Sequence, residues 1–412
     1  MGFGSLFSFK RLQEELIVVL DIGSASIGGA LVLFSSAAHP TVIYTVRREM
    51  KFKEKVDFKN LVLSMEETLD LVLLDIQKEG LAHARVSGKM FSAPEKAYCV
   101  LGAPWYASQV RVIKESRETL FRVNQNSLSE ILAREVNSFK DSESERYLHE
   151  GILRGDIDLI EKETLSVKLN GYEVQKPYDR LTRRMEMLLY LSLAPREILE
   201  TVREKIGRLF HLENIEFHSL SLASWSTVRD IWEKEKDFLF VDVGGEMTEV
   251  LLVRHGVPQG TISFPLGKNF FVRKIAHRLR TTSHEATSLL TLYLLEKGSE
   301  EVTQQITDVL ENIKKEWQGG FVAALREISE GLYLPPRVFL TAHSVFEPLF
   351  SQSIQNTIMS TDDISAESFS VLSINYGTLS QYVYIGGNLQ KDPFLLLFSL
   401  FAHKMHILKN AA

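Results

Sequence analysis

The chain has 412 residues, 45% hydrophobic, 24% charged and 10% aromatic, with 24 glycines and 11 prolines. These proportions fit a globular protein and exclude collagen-like, disordered and coiled-coil classes. The 53 acidic and 47 basic side chains leave a net charge of −6, so no broad positive field is present to attract nucleic acid. At roughly 100–200 residues per domain, the length allows two to four domains with cores of their own. The single cysteine, Cys99, has no partner within the chain, and no Cys/His cluster has zinc-like spacing. Both facts fit a reducing, cytoplasmic setting. The most apolar run, 394–402, is far shorter than the ~20 residues that cross a bilayer. The start, MGFGSLFSFKR, lacks the basic lead and long apolar core of a secretory signal. Membrane contact is therefore expected to be peripheral at most, through that short aromatic and basic start.

Taken in chain order, the first element is Leu16-Ile17-Val18-Val19-Leu20, which stops at Asp21-Ile22-Gly23-Ser24-Ala25-Ser26 before a second apolar run over 27–34. Two such runs around a short polar tip predict a β-hairpin in a sheet covered on both faces. Val62, Met65, Leu69, Val72, Leu73 and Ile76 recur at helical spacing, with Gly80 just past the end. Residues 97–102 give another strand, and this alternation indicates a layered α/β domain. Cys99 is a small core residue, and Trp105 and Tyr106 are expected to pack at a domain junction.

From about Ser108 the character changes. Ser127 and Glu130 form a capping-box pattern ahead of Leu128, Ile131, Leu132 and Val136. Leu165, Val167 and Leu169 alternate with polar residues up to Asn170-Gly171, a tight-turn signal, and 185–193 give a further strand. A small α+β insert over 108–194 accounts for this stretch, with 140–150 as a solvated loop or helix end. Helix returns over 195–209. Strand 238–241 then runs into Asp242-Val243-Gly244-Gly245 and a second apolar run, 250–253. A largely helical stretch covers 270–330, followed by strand 338–340 and a turn at Thr341-Ala342-His343-Ser344. Asp392-Pro393 starts a terminal helix. Residues 394–408 are expected to be core, not a membrane anchor, with Ser399, His403 and His406 as the solvent edge.

The most informative feature is an internal echo. Val18-Val19-Leu20-Asp21-Ile22-Gly23 and Leu239-Phe240-Val241-Asp242-Val243-Gly244 share three apolar residues, Asp, an aliphatic residue and Gly. Two matched hairpins suggest two related halves facing across a cleft. Glycines and small residues there let backbone N–H groups approach phosphate oxygens. Ser24 and Ser26 add hydroxyls. An Asp at each strand end, Asp21 and Asp242, can orient waters around a magnesium ion.

On these residues the sequence resembles the actin/Hsp70/sugar-kinase ATPase superfamily, and within it the FtsA and PilM group. Residues 20–27 resemble the first phosphate motif and 241–248 the second. The stretch 256–267 is similar to that group's strand-and-glycine continuation, and the insert around Asn170-Gly171 to FtsA's SHS2-type domain. The resemblance implies a two-lobed α/β fold of duplicated ribonuclease-H-like domains with a small α+β insert. Residues 12–107 and 195–236 would form the first lobe, closed by helix 391–410, and 108–194 the insert. The second lobe would hold 237–264 and 334–390, and 265–333 a mostly helical subdomain.

The resemblance further implies ATP and Mg²⁺ held by Asp21, Gly23, Ser24, Ala25, Ser26, Asp242, Gly244, Gly245 and Thr248, with Glu285, Thr341, Ala342 and His343 near the adenosine. Asp21 and Asp242 would face the metal. The sequence departs from the family in three places. Glu246 replaces a third glycine and would repel phosphate unless it points away or binds the metal. Thr341-Ala342-His343 replaces a glycine run. Leu289 or Leu290 stands where a Lys is expected beside Glu285. The implied function is an FtsA-type scaffold organising a division assembly at the inner face of the membrane, through protein partners and possible self-association. The alternative is a PilM-like cytosolic platform of type IV pilus assembly, favoured by the lack of a linker and anchor after the closing helix. A small-molecule kinase on the same fold is the third reading, and any ATPase activity is expected to be weak.

Overall fold

The structure is a computed structural model, and it describes residues 14–35, 39–52, 54, 57–86, 93–149, 156–331, 333–357, 368–386 and 389–411. The aromatic and basic start lies outside the described residues.

Strands β1 (Glu15–Ile22), β2 (Ser26–Phe34) and β3 (Thr41–Glu49) form an antiparallel meander. Helices α1 (Phe58–Asp75) and α2 (Leu81–Val86) lead into β4 (Lys96–Leu101), which pairs parallel to β1. The insert contains β5 (Ala107–Arg122), α3 (Gln125–His149), β6 (Ile157–Leu169), β7 (Tyr172–Glu173) and β8 (Leu181–Pro195). The chain returns through α4 (Arg196–Phe210), β9 (Ile215–Ser219) and α5 (Leu220–Ile231).

The second lobe repeats the plan with β10 (Phe238–Val243), β11 (Thr248–Arg254) and β12 (Val257–Phe264). Helices α6 (Lys268–Leu279), α7 (Ser283–Leu294) and α8 (Glu300–Ser329) follow. Then come β13 (Arg337–Ala342), α9 (Glu347–Gln355) and β14 (Ser370–Ser373). The one-turn α10 (Tyr376–Leu379), β15 (Tyr384–Ile385) and α11 (Pro393–Ala411) complete the chain.

The two main sheets have one order. The first runs β15-β3-β2-β1-β4-β9, the second β12-β11-β10-β13-β14. Setting β15 aside, strand for strand they match in direction: antiparallel meander first, parallel pairs after. The echo at Asp21 and Asp242 is thus the edge of a duplicated fold. Strands β1 and β10 are buried on both faces, which explains their unbroken hydrophobicity. The insert is an antiparallel sheet of order β5-β8-β6-β7 with its own core of Leu128, Phe139, Met185, Met187 and Leu191.

Two local expectations need correction. Helix α3 begins at Gln125, two residues before Ser127, with the Leu128 N–H on the Asn124 carbonyl. The charged stretch is the end of this helix, up to His149, one of the two alternatives expected for it. On α11, Ser399 and His403 are buried, not a solvent edge. The Ser399 hydroxyl donates to the Leu395 carbonyl at 2.6 Å, and His403 Nε2 lies 3.0 Å from the Ser35 carbonyl. Polar atoms satisfied in this way are buried at little cost. Among the described residues of that helix, the exposed ones are the last turn, Ile407, Leu408, Lys409 and Asn410. Its apolar face, including Leu395, Leu397, Phe398 and Phe401, packs on β1, β2 and α5. Among the described residues no helix is long and apolar enough to cross a membrane.

Candidate functional site

The tips of the β1–β2 and β10–β11 hairpins meet around a cleft of about 150 Å³ lined from both lobes. They touch directly. A Cβ added to Gly245 would lie 2.3 Å from the Ala25 Cβ, so only glycine allows this approach. The Glu246 N–H donates to Ser24 Oγ at 3.0 Å across the lobes. The Gly23 N–H is engaged by the Ser26 carbonyl at 3.2 Å and the Gly244 N–H by the Met247 carbonyl at 3.0 Å, so both close their own turns. Trp105 is more than packing: its indole N–H holds the Gly23 carbonyl at 2.8 Å.

The two aspartates have different surroundings. Strand register sets Asp242 beside Thr341, whose hydroxyl donates to Asp242 Oδ1 at 2.7 Å. Burial pushes the Asp242 carboxyl up to about 8. Asp21 pairs with Arg47 at 2.6 Å, and the same guanidinium reaches Asp392 at 2.6 Å and Ser26 Oγ at 3.0 Å. Burial raises the Asp21 carboxyl, and the Arg47 charge opposes that rise.

Ala25, Ser26, Gly244, Gly245, Ala342 and His343 also line the cleft. Glu246 points away from it: its carboxylate accepts from Asn269 at 2.8 Å and from both Arg273 nitrogens at 3.1 and 2.6 Å. The repulsion its position suggested is thereby removed. Thr248 faces the helical subdomain, donating to the Leu266 carbonyl at 2.8 Å. Glu285 caps α7 in a box with Thr282 and is not among the cleft-lining residues. Beside His343 lies a second hollow of about 350 Å³, walled by Phe52, Val272, Thr287, Thr291, Val345 and Phe346.

A nucleotide and a metal fare differently in this arrangement. The His343 Nδ1 is buried with no hydrogen-bond partner. Burial, with Lys268 nearby, keeps the ring's pKa low. An orphaned neutral ring nitrogen beside a hollow of ligand size fits a nucleobase. Arg47, Lys268, Lys391, Ser24 and Ser26 on the cleft wall fit phosphate. A divalent metal does not fit. Magnesium needs free oxygen ligands, whereas Asp21 and Asp392 are engaged by Arg47 and Asp242 accepts the Thr341 hydroxyl. Among the described residues no group of three His, Cys, Asp or Glu could hold a metal.

Arg47, Asp392, Lys268 and Lys391 escape sequence reasoning. One signal was available: Gly28-Gly29 inside an apolar strand marks a close approach, and Gly28 lies opposite Arg47.

Two lobes on one repeated sheet plan, with an insert on the first and paired turns across a cleft, define an actin-like ATPase fold. No known protein family and no curated protein matches the sequence. Solved structures do. One described as a PilM-PilN type IV pilus biogenesis complex aligns over 97% of this chain and 99% of that chain, at 15% identity and a TM-score of 0.55. The ethanolamine utilization protein EutJ from Carboxydothermus hydrogenoformans aligns over 95% and 89%, at 13% identity and a TM-score of 0.39. A Bacteroides thetaiotaomicron protein with an actin-like ATPase fold aligns over 89% and 96%, at 6% identity and a TM-score of 0.37. At these identities the likeness concerns the fold.

Proposed function

We propose that this protein is an actin-like scaffold of the PilM type, a platform that holds a segment of a pilus-assembly partner and takes a nucleotide between its lobes. The observation that supports this reading is the end-to-end correspondence with PilM, which extends through the insert. Architecture carries function only by analogy, so the partner must be tested directly. Strand β5 is the edge of the insert sheet and exposes Val112 and Leu120, a surface suited to adding a partner strand. The second reading, an FtsA-type division scaffold, is supported by the β6–β7 hairpin at Asn170-Gly171.

The discriminating experiment immobilises the full chain. It titrates peptides from the cytoplasmic tails of pilus and division membrane proteins encoded in the same genome. Saturable binding of a pilus peptide, weakened at least tenfold by Val112→Glu, is expected. Binding of division peptides alone would move the assignment to the FtsA type, and binding of neither would reject both. A coupled assay over sugars and carboxylic acids tests the kinase reading, with no turnover expected.

A further inference from the structure

The cleft contains a cation of its own. Strand register places Asp21 opposite Gly28 and Gly28 opposite Arg47, so the three residues form one row across β1, β2 and β3. The Arg47 side chain lies over the missing side chain of Gly28, where an added Cβ would come within 2.6 Å of Nη2. It can therefore cross the middle strand to reach Asp21. From the other side comes Asp392, which also caps α11 by accepting the Leu395 N–H at 3.1 Å. All three charged side chains are nearly out of solvent, at 13% exposure for Arg47, 7% for Asp21 and 4% for Asp392. A guanidinium keeps its charge at any accessible pH, and this one is locked in bidentate geometry on Asp392.

We propose that Arg47 is the built-in cation of this cleft, so that the phosphate groups of a nucleotide are held here without a divalent metal. Arg47 binds both carboxylates and offsets one of the two negative charges that would otherwise repel phosphate. Lys391 and Lys268, the latter also paired with Glu49 at 2.9 Å, add positive charge on the wall. A magnesium ion would have to displace a buried guanidinium from two carboxylates, which leaves a buried charge unpaired. The proposal rests on the nucleotide part of the reading above, not on its partner part.

The test is calorimetry and thermal shift on the full chain with three additions: ATP in EDTA, ATP with magnesium, and magnesium alone. ATP should bind in EDTA within threefold of its affinity in magnesium, and magnesium alone should leave Tm unchanged. Arg47→Gln should weaken metal-free binding at least tenfold. If that variant does not fold, Gly28→Ala, which pushes the guanidinium off Asp21, should show the same loss. Binding that needs magnesium by tenfold or more overturns the proposal, as does a magnesium-induced shift in the unaltered chain. So does undiminished metal-free binding in the folded variants. Failure to bind ATP under either condition overturns it together with the nucleotide part. Peptide binding by the same preparation then shows whether the platform reading stands.

Discussion

The carboxylate of Glu161, on β6 of the insert, accepts the backbone N–H of Ser219 at 3.2 Å, at the first turn of α5 in the first lobe. It also accepts from the Ser219 hydroxyl, from Ser192 at 2.6 Å and from His218 Nδ1 at 3.0 Å. Two residues further along α5, Ser221 donates to Glu249 of β11, which Tyr106 also reaches. The start of one helix thus joins the insert, the first lobe and the second lobe, with two buried carboxylates as the pins.

Removing Glu161 should therefore loosen the insert from the body. Glu161→Ala leaves His218 Nδ1 and the Ser219 N–H buried without their acceptor, and a loss of about 3 kcal/mol is expected. Glu161→Gln keeps an accepting oxygen and should lose less. Urea unfolding measures both, and a loss below about 0.5 kcal/mol for the alanine variant, the range of ordinary surface changes, would show that the joint contributes nothing.

His218 should make stability depend on pH. Burial alone would lower its pKa, but the hydrogen bond to Glu161 and the nearby Glu216 carboxylate outweigh burial and raise it above 6.5. A raised folded pKa gives stability that is fully present below the unfolded value and lost as pH rises through the folded one. The difference in Tm between the unaltered chain and His218→Gln should therefore shrink as pH climbs above 6.5. A difference that stays constant across that range would mean the ring is neutral throughout.

Asp242 works in the same direction over a different window. Burial lifts its carboxyl from 3.8 to about 8, so its contribution is complete below 3.8 and declines until about 8. The unaltered chain should lose stability against Asp242→Asn over that window, by at most about 1.4 kcal/mol per pH unit. Above about pH 8 the two curves should run parallel. Parallel curves from pH 4 upward would show that the carboxylate is already ionised in the folded protein.

Helix α11 should be indispensable to folding. Phe398 is fully buried, and Phe398→Ala should cost about 3–5 kcal/mol. Truncation after Asp392 uncovers β1 and β2, and should give an aggregating chain without a cooperative melt. A truncated protein with an unchanged Tm, together with lost liposome binding, would instead make this helix a membrane anchor.

The sequence by itself determined the elements whose signals are local. Leu20-Asp21-Ile22-Gly23 and Val241-Asp242-Val243-Gly244 announce two hairpin tips because a buried strand must be apolar and its turn must be small. Asn170-Gly171 announces the insert hairpin for the same reason, and 394–402 the buried helix. Strand β3 and helix α5 gave no such signal: one ends in Arg47-Arg48-Glu49, the other is rich in serine, and their burial comes from neighbours far along the chain. The charge arrangement of the cleft was equally hidden. Arg47 and Asp392 stand 345 positions apart, and each has a local explanation, a solvated strand end and a helix cap. Only packing α11 against the first lobe brings them together, because a buried ion pair is defined by distance in space and by removal from water, and neither is written in the order of residues.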